Sequence, residues 1–336
     1  MHICRICGNR DGNSSYVARE MQFGTRESFE YFQCAKCGCL QIAQVPGDLG
    51  RHYPKEYYSL TSLGTLPRQS RLKRFLKRRR LEHFLGTRTV LGALVEHAFG
   101  HPDVPAWFAK AGPEPHWRVL DVGCGAGGLL HALWYAGFSD LTGVDPYIDH
   151  DLNYGHGVRV FKAEVAALAG PFDVVVLSHS FEHMANPEQV LRHVHGILAP
   201  GRFAVICIPL VSSYAWERYL TNWKGLDAPR HLFLHSLESM RLLAERVGFE
   251  IADVLFTSGA AQFWGSEQYA RNIPLMDDRS YARNRDGSIF SRDDISRFEK
   301  MAEDLNRQGR GDQACFYLRK PSEEMPAGNP SGPASS

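Results

Sequence analysis

A chain of 336 residues is long enough for one large α/β domain with a small accessory unit. Its 44% hydrophobic and 22% charged residues are ordinary for a globular protein, and a net charge of +1 argues against a wholesale nucleic-acid binder. No apolar run approaches the roughly 20 residues of a membrane span, and MHICRICG lacks the apolar stretch of a signal peptide, which points to a cytoplasmic enzyme.

The first feature along the chain is a pair of cysteine knuckles, Cys4-x-x-Cys7 and Cys34-x-x-Cys37. Each turn aims two thiolates at one point, and two such turns close the tetrahedral shell of a Zn²⁺ ribbon. Gly8 and Gly38 follow the knuckles where tight turns need them, and FEYFQC fits a ribbon strand. Residues 1–50 are therefore expected to form a zinc ribbon. Its metal folds a segment too small for its own core, and its surface can also touch substrate or cap a cofactor. Cys39 is a bystander, and Cys124, Cys207 and Cys315 are expected as buried apolar filler.

Residues 51–117 read as a linker with a basic helical segment. RQSRLKRFLKRRR, residues 68–80, has eight Arg or Lys and no acid, with Leu72, Phe75 and Leu76 at helical spacing. This face can be simply solvated, can meet an anionic substrate or membrane-surface phosphates, or can touch nucleic acid. The helical pattern resumes in EHFLGTRTVLGALVEHAF, and the proline-rich PEPHW ends it.

The chain is organised around VLDVGCGAGG, residues 119–128: a strand, a turn crowded with glycine, then an apolar helical pattern. Glycines there let the backbone approach a ligand, and the helix start offers it unpaired N–H groups. Elements then alternate: strand 118–122, helix 127–137, strand 141–145, strands near 158–162 and at 173–178, helix 187–198, strand 202–208. Alternation implies a doubly wound, mostly parallel sheet with ligands at the carboxyl ends of its strands. Ser236 caps a further helix, with Ser239 lacking the acid of a full capping box, and Gly248 ends it. An insertion over residues 257–311, with a helix from Ser291 and Asp294 to Leu305, shapes a substrate pocket or an oligomer contact. It precedes the last strand, ACFYLRK. The tail from 321 to 336 is expected to be disordered.

With Asp121 two residues ahead of its first glycine, VLDVGCGAGG resembles motif I of the class I S-adenosylmethionine-dependent methyltransferases. LTGV, ending in Asp145 twenty residues beyond Gly125, and the run from Phe172 to Pro209 resemble that family's second, fourth and fifth strands. Residues 223–251 resemble a stretch of methyltransferases from bacterial polysaccharide and natural-product pathways. The resemblance implies a Rossmann-like sheet of seven strands over residues 118–320, preceded by the small zinc ribbon. It implies S-adenosyl-L-methionine as cofactor, held by Asp121, Gly123, Cys124, Gly125, Gly128, Asp145, Pro146, Glu164, Ser178 and His179. Asp145 is placed to take two ribose hydroxyls. RHYPKEYYSL resembles a segment linking ribbon and catalytic domain, whose Tyr53, Tyr57 or Tyr58 contacts cofactor or substrate, or packs in the core.

The implied acceptor is a small molecule or glycan, foremost a sugar hydroxyl of a surface polysaccharide or glycosylated metabolite. Such a hydroxyl needs a base, and His231 and His183 are the candidates, with capping of a backbone carbonyl as the alternative role for each. Methylation of carbon or nitrogen in a small metabolite, or of nucleic acid through ribbon and basic helix, is the other reading. SHSFEH stands where a base methylase carries its N-P-P-Y-type loop. Asp121 also argues against a nicotinamide oxidoreductase.

Overall fold

The computed structural model describes residues 2–53 and 63–322. Tyr57, Tyr58 and the tail beyond 322 lie outside the described residues. At the N-terminus β1 (Ser14–Arg19), β2 (Ser28–Gln33) and β3 (Leu40–Ile42) pair antiparallel in sequence order. The basic segment forms α1 (Arg71–Phe84), capped by Ser70, and α2 (Val90–Phe99), capped by Thr89. They pack as a hairpin at Gly92, where a Cβ would lie 2.5 Å from both the Arg79 carbonyl oxygen and His83 Cβ. A short α3 (Ala106–Ala109) leads to the central sheet.

That sheet is built from β4 (Arg118–Val122), α4 (Gly128–Ala136), β5 (Asp140–Val144), β6 (Leu152–Gly155), β7 (Val158–Phe161) and β8 (Phe172–Ser178). There follow α5 (Pro187–Ile197), β9 (Leu198–Pro209), α6 (Tyr214–Tyr219), β10 (Phe233–Leu234) and α7 (Leu237–Val247). The chain ends in β11 (Glu250–Phe256), α8 (Ala261–Ala270), α9 (Arg292–Arg307) and β12 (Gln313–Arg319). The order across the sheet is β11-β12-β9-β8-β4-β5-β7-β6. The strands from β7 to β9 run parallel, and β12 runs antiparallel to both neighbours. The seven expected strands are joined at one edge by the short antiparallel β6. Helices cover both faces, so Val174, Val175, Val176 and Leu177 of β8 are all fully buried and read as one apolar run.

Three local features differ from the sequence reading. Cys207 and Cys315 are not separate filler: the register of β9 and β12 sets them opposite each other, and they form a disulfide across 108 residues of chain. Ser239 completes the capping box without an acid, because its hydroxyl accepts from the Ser236 N–H at 2.9 Å while Ser236 accepts from the Ser239 N–H. The ribbon sheet is also not confined to the N-terminus. β10 adds to it as a fourth strand, Phe233 facing Gln41 and Leu234 facing Leu40, and the ribbon and catalytic cores merge around Tyr31, Leu40, Phe181 and Phe233.

Candidate active site

The glycine turn leaves β4 with Gly123, Gly125 and Gly127 all at positive φ, the last capping α4. Gly123 is required by contact as well as conformation. A Cβ there would lie 2.4 Å from Ser180 Cβ, and the Ser180 hydroxyl donates to the Val122 carbonyl at 2.7 Å, locking the loop after β8 onto the turn. Asp145, at the tip of β5, accepts the Gly125 N–H and the Tyr147 N–H, each at 2.8 Å. Each of its oxygens keeps a lone pair for a further donor. Asp121 is buried beside it, and burial first, the Asp145 charge second, push its carboxyl up to about 7.

The other expected cofactor residues fall on the same rim. Cys124 is a free thiol packed over Gly143, and Gly128 opens α4. Exposed Pro146 follows Asp145, and exposed Glu164 opens the turn beyond β7. Ser178 ends β8, and His179 follows it at a φ of 52°, in the left-handed region that side chains other than glycine avoid. All ten thus lie at or just beyond the carboxyl ends of β4, β5, β7 and β8. That rim is the crevice where an open α/β sheet binds its ligand.

Next to this rim the loop after β8 meets the segment ahead of β10, bringing together His179, Glu182, His183 and His231. The His183 Nδ1 lies 2.9 Å from the Arg230 carbonyl oxygen and 3.1 Å from the Tyr53 hydroxyl, and the His231 Nδ1 lies 2.8 Å from the Gly225 carbonyl oxygen. A carbonyl can only accept, so each Nδ1 carries the proton and each Nε2 presents a lone pair. The two rings are 4.8 Å apart. Between them Glu182 is fully buried, with neither carboxylate oxygen hydrogen-bonded; His179 Nδ1 and His231 Nε2 stand 3.7 and 3.9 Å from Oε1. Burial works to raise the Glu182 carboxyl, but His179, His183 and His231 outweigh it and hold it at about 2. Burial pulls His231 down to about 4.

What holds this nest comes from the ribbon, the linker and the segment ahead of β10. Arg230 is fully buried, donating to Asp227 at 2.9 and 2.5 Å, to Glu20 at 3.0 Å and to the His52 carbonyl at 3.3 Å. Tyr31 of β2 donates to the His231 carbonyl at 2.9 Å, and Tyr53 stacks on Tyr147 beside Asp145. Tyr53, the one of the three linker tyrosines that lies among the described residues, therefore reaches the site. Glu182, Glu20 and Tyr31 were missed as site residues. Glu182 had a signal in its place between two histidines of the loop, whereas Glu20 and Tyr31 lie about two hundred residues from their partners.

The cysteine knuckles also come together. Cys4 and Cys37 Sγ are 3.6 Å apart, Cys7 and Cys34 Sγ 3.5 Å, and all four sulfurs lie within 4.8 Å of one another. The Cys7 and Cys37 N–H groups point back at the Cys4 and Cys34 sulfurs at 3.5 Å, and Gly8 and Gly38 turn at positive φ behind them. This cluster suits a tetrahedral metal.

The family model described as "Methyltransferase domain" matches residues 69–254, more than half of the chain. A ubiquinone biosynthesis O-methyltransferase of Caulobacter sp. (strain K31) is 33% identical over 100 residues, 26% of this chain and 39% of that protein. Its counterpart in Pseudomonas aeruginosa (strain LESB58) is 38% identical over 95 residues, 25% of this chain and 40% of that protein. The chain spans about two-fifths of the length of the curated relatives it matches. Among solved structures, an S-adenosylmethionine-dependent methyltransferase from Mesorhizobium loti aligns with a TM-score of 0.40 at 20% identity, over 64% of this chain and 96% of that one. The cyclopropane synthase MmaA2 from Mycobacterium tuberculosis aligns with a TM-score of 0.40 at 18% identity, over 63% of this chain and 81% of that one.

Proposed function

Because the chain belongs to the methyltransferase-domain family, we propose that it moves a methyl group from S-adenosyl-L-methionine to a hydroxyl oxygen, with a sugar of a surface polysaccharide or glycosylated metabolite as acceptor. When bound, the cofactor supplies the electrophilic methyl. The rim from Asp121 and the glycine turn through Asp145, Glu164 and His179 would hold it, with Asp145 facing the ribose. The enzyme's own task is to align the acceptor oxygen with the methyl and to exclude water. Oxygen as the acceptor atom is supported by the relatives, which are named O-methyltransferases, and by the histidine nest. The sugar rests on the resemblance of residues 223–251 to methyltransferases of polysaccharide pathways. We also propose that Cys4, Cys7, Cys34 and Cys37 hold a structural Zn²⁺.

The observation that carries the reading is the pair of imidazoles whose Nδ1–H groups are fixed on backbone carbonyls, which leaves the Nε2 of each ring to exchange a proton. A hydroxyl is a poor nucleophile until its proton is drawn off, and burial keeps His231 unprotonated at neutral pH. In single-turnover assays at saturating cofactor, His183→Ala and His231→Ala should each slow transfer by about 10²–10⁴-fold. Tandem mass spectrometry of acceptors incubated with deuteromethyl cofactor should place the label on oxygen. Two variants that bind cofactor and keep wild-type rates, or a label on carbon or nitrogen, would overturn the reading.

A further inference from the structure

We propose that the α1–α2 hairpin is a docking surface for an anionic lipid bilayer, lying on it with outward apolar side chains among the headgroups and free cations against their phosphates. Each helix buries only a narrow stripe. α2 buries Gly92 and Val95, and its opposite side turns Val90 and Leu94, one helical turn apart, to solvent. α1 buries Leu81 and turns Leu72 and Phe75 the other way. Val90 is 82% exposed, Phe99 72% and Leu72 66%. Six of the fifteen exposed large apolar side chains among the described residues fall between residues 71 and 99, although that stretch is less than a tenth of the chain. Single exposed leucines are ordinary, whereas apolar side chains gathered on one helical hairpin mark a surface that meets a partner.

Charge selects the occupant. From Arg68 to Gly100 the chain carries nine Arg or Lys and two Glu, a net +7, while the whole chain is +1, so the remainder carries −6. Both acids are already engaged, Glu82 with Arg78 and Arg79, and Glu96 with His83 and His101. Arg68, Arg71, Lys73, Arg74 and Arg88 are exposed, without an acidic partner among the described residues. A second copy offering the same face would set these cations against like charges. Nucleic acid would take the cations but gives Val90, Leu94 and Phe99 nothing apolar to enter. An anionic bilayer serves both, with phosphates for the cations and a headgroup boundary about 5–10 Å deep for the apolar side chains. The long stems of Arg and Lys keep the charges at phosphate level while the shorter side chains sink past them.

The hairpin is tied to the cofactor rim. The Leu66 N–H donates to the Tyr154 carbonyl at 3.3 Å, and the Tyr154 hydroxyl donates to the Ala126 carbonyl of the glycine turn at 2.7 Å. Four residues beyond Leu66, Ser70 caps α1, so the helix starts within about 14 Å of that contact. Binding to the lipid surface rests on the hairpin alone and does not depend on the methyl-transfer reading.

The test is co-sedimentation of the full-length protein with vesicles, one set of phosphatidylcholine and one of an equimolar mixture with phosphatidylglycerol. The protein should pellet with the mixed vesicles and stay in solution with phosphatidylcholine alone, and added salt should release it. Arg71→Gln, Lys73→Gln and Arg74→Gln together should weaken binding about 100-fold, since each basic residue at an anionic surface contributes roughly fivefold. Val90→Ser with Leu94→Ser should weaken it at least ~10-fold. All five positions are exposed, so circular dichroism should stay that of the wild type and report that each variant is folded. No binding to the mixed vesicles, equal binding to both kinds, or wild-type affinity in the glutamine variant would overturn the proposal. Binding to generic RNA in place of vesicles, unchanged by the two serines, would overturn it in favour of nucleic acid. A dimer in sedimentation velocity that the two serines dissociate would overturn it too, because a second copy would then cover α2.

Discussion

Asp121 carries the largest cost the fold places on a single carboxylate of the cofactor rim. Its carboxyl rises to about 7, through burial and then the neighbouring Asp145 charge, so the folded state binds its proton more tightly than the unfolded chain does. The penalty is absent below about pH 4, where both states are protonated, grows from there to about pH 7, and is constant above it, where both states are ionised. Asp121→Asn should therefore raise the melting temperature of the ligand-free protein most above pH 7, with the gain shrinking toward pH 4. A gain that does not change with pH would mean that Asp121 ionises in the fold at no cost. Asp145 illustrates how far a single residue is legible in sequence. Its place at a strand tip followed from LTGV, but not its clasp on Gly125, which depends on two strands lying side by side.

Among elements, the segment between α6 and α7 links the ribbon to the nest. Its Asp227 sits at a φ of 41° and its Arg230 is buried between acids from two parts of the chain. Removing one member of a buried ionic network leaves the others uncompensated, so Arg230→Ala should cost about 3–5 kcal/mol in denaturant unfolding. Arg297→Ala, which breaks an exposed pair with Asp294 on α9, should cost less than about 1 kcal/mol. Equal losses would show that the Arg230 network contributes no more than a surface contact. The basic run of α1 divides in the same manner. Arg78 and Arg79 pair with Glu82, and Arg80 donates to the Phe99 and Gly100 carbonyls at the end of α2. Arg71, Lys73 and Arg74 stay exposed, without an acidic partner among the described residues. Helical spacing foretold the helix, while the contact of Arg80 with the end of α2 required α2 to fold back on it.

At the scale of the whole molecule, β10 makes the ribbon part of the catalytic body. Zinc bound at the four cysteines would then stabilise more than the first fifty residues, because binding to the folded state alone shifts the entire equilibrium. Calorimetry after chelation should show one unfolding transition moved to lower temperature. A separate early transition, with the main one unmoved, would mean that the ribbon melts alone. Among the described residues no helix is long and apolar enough to cross a membrane.

Whatever depends on neighbours along the chain is legible in the residues alone: the cysteine knuckles, the glycine turn with Asp121 ahead of it, the alternation that makes a doubly wound sheet, and the caps at Ser236 and Ser291. These are local because a turn, a cap or a strand is specified within a few residues by backbone sterics and hydrogen bonding. It took the folded chain to show that Cys207 meets Cys315, that Phe233 extends the ribbon sheet, that Tyr31 and Tyr53 reach the segments of the histidines, and that Glu182 lies buried without a hydrogen-bond donor among them. Each of these turns on sheet register or on the burial of a charge, which packing sets between segments as far as two hundred residues apart.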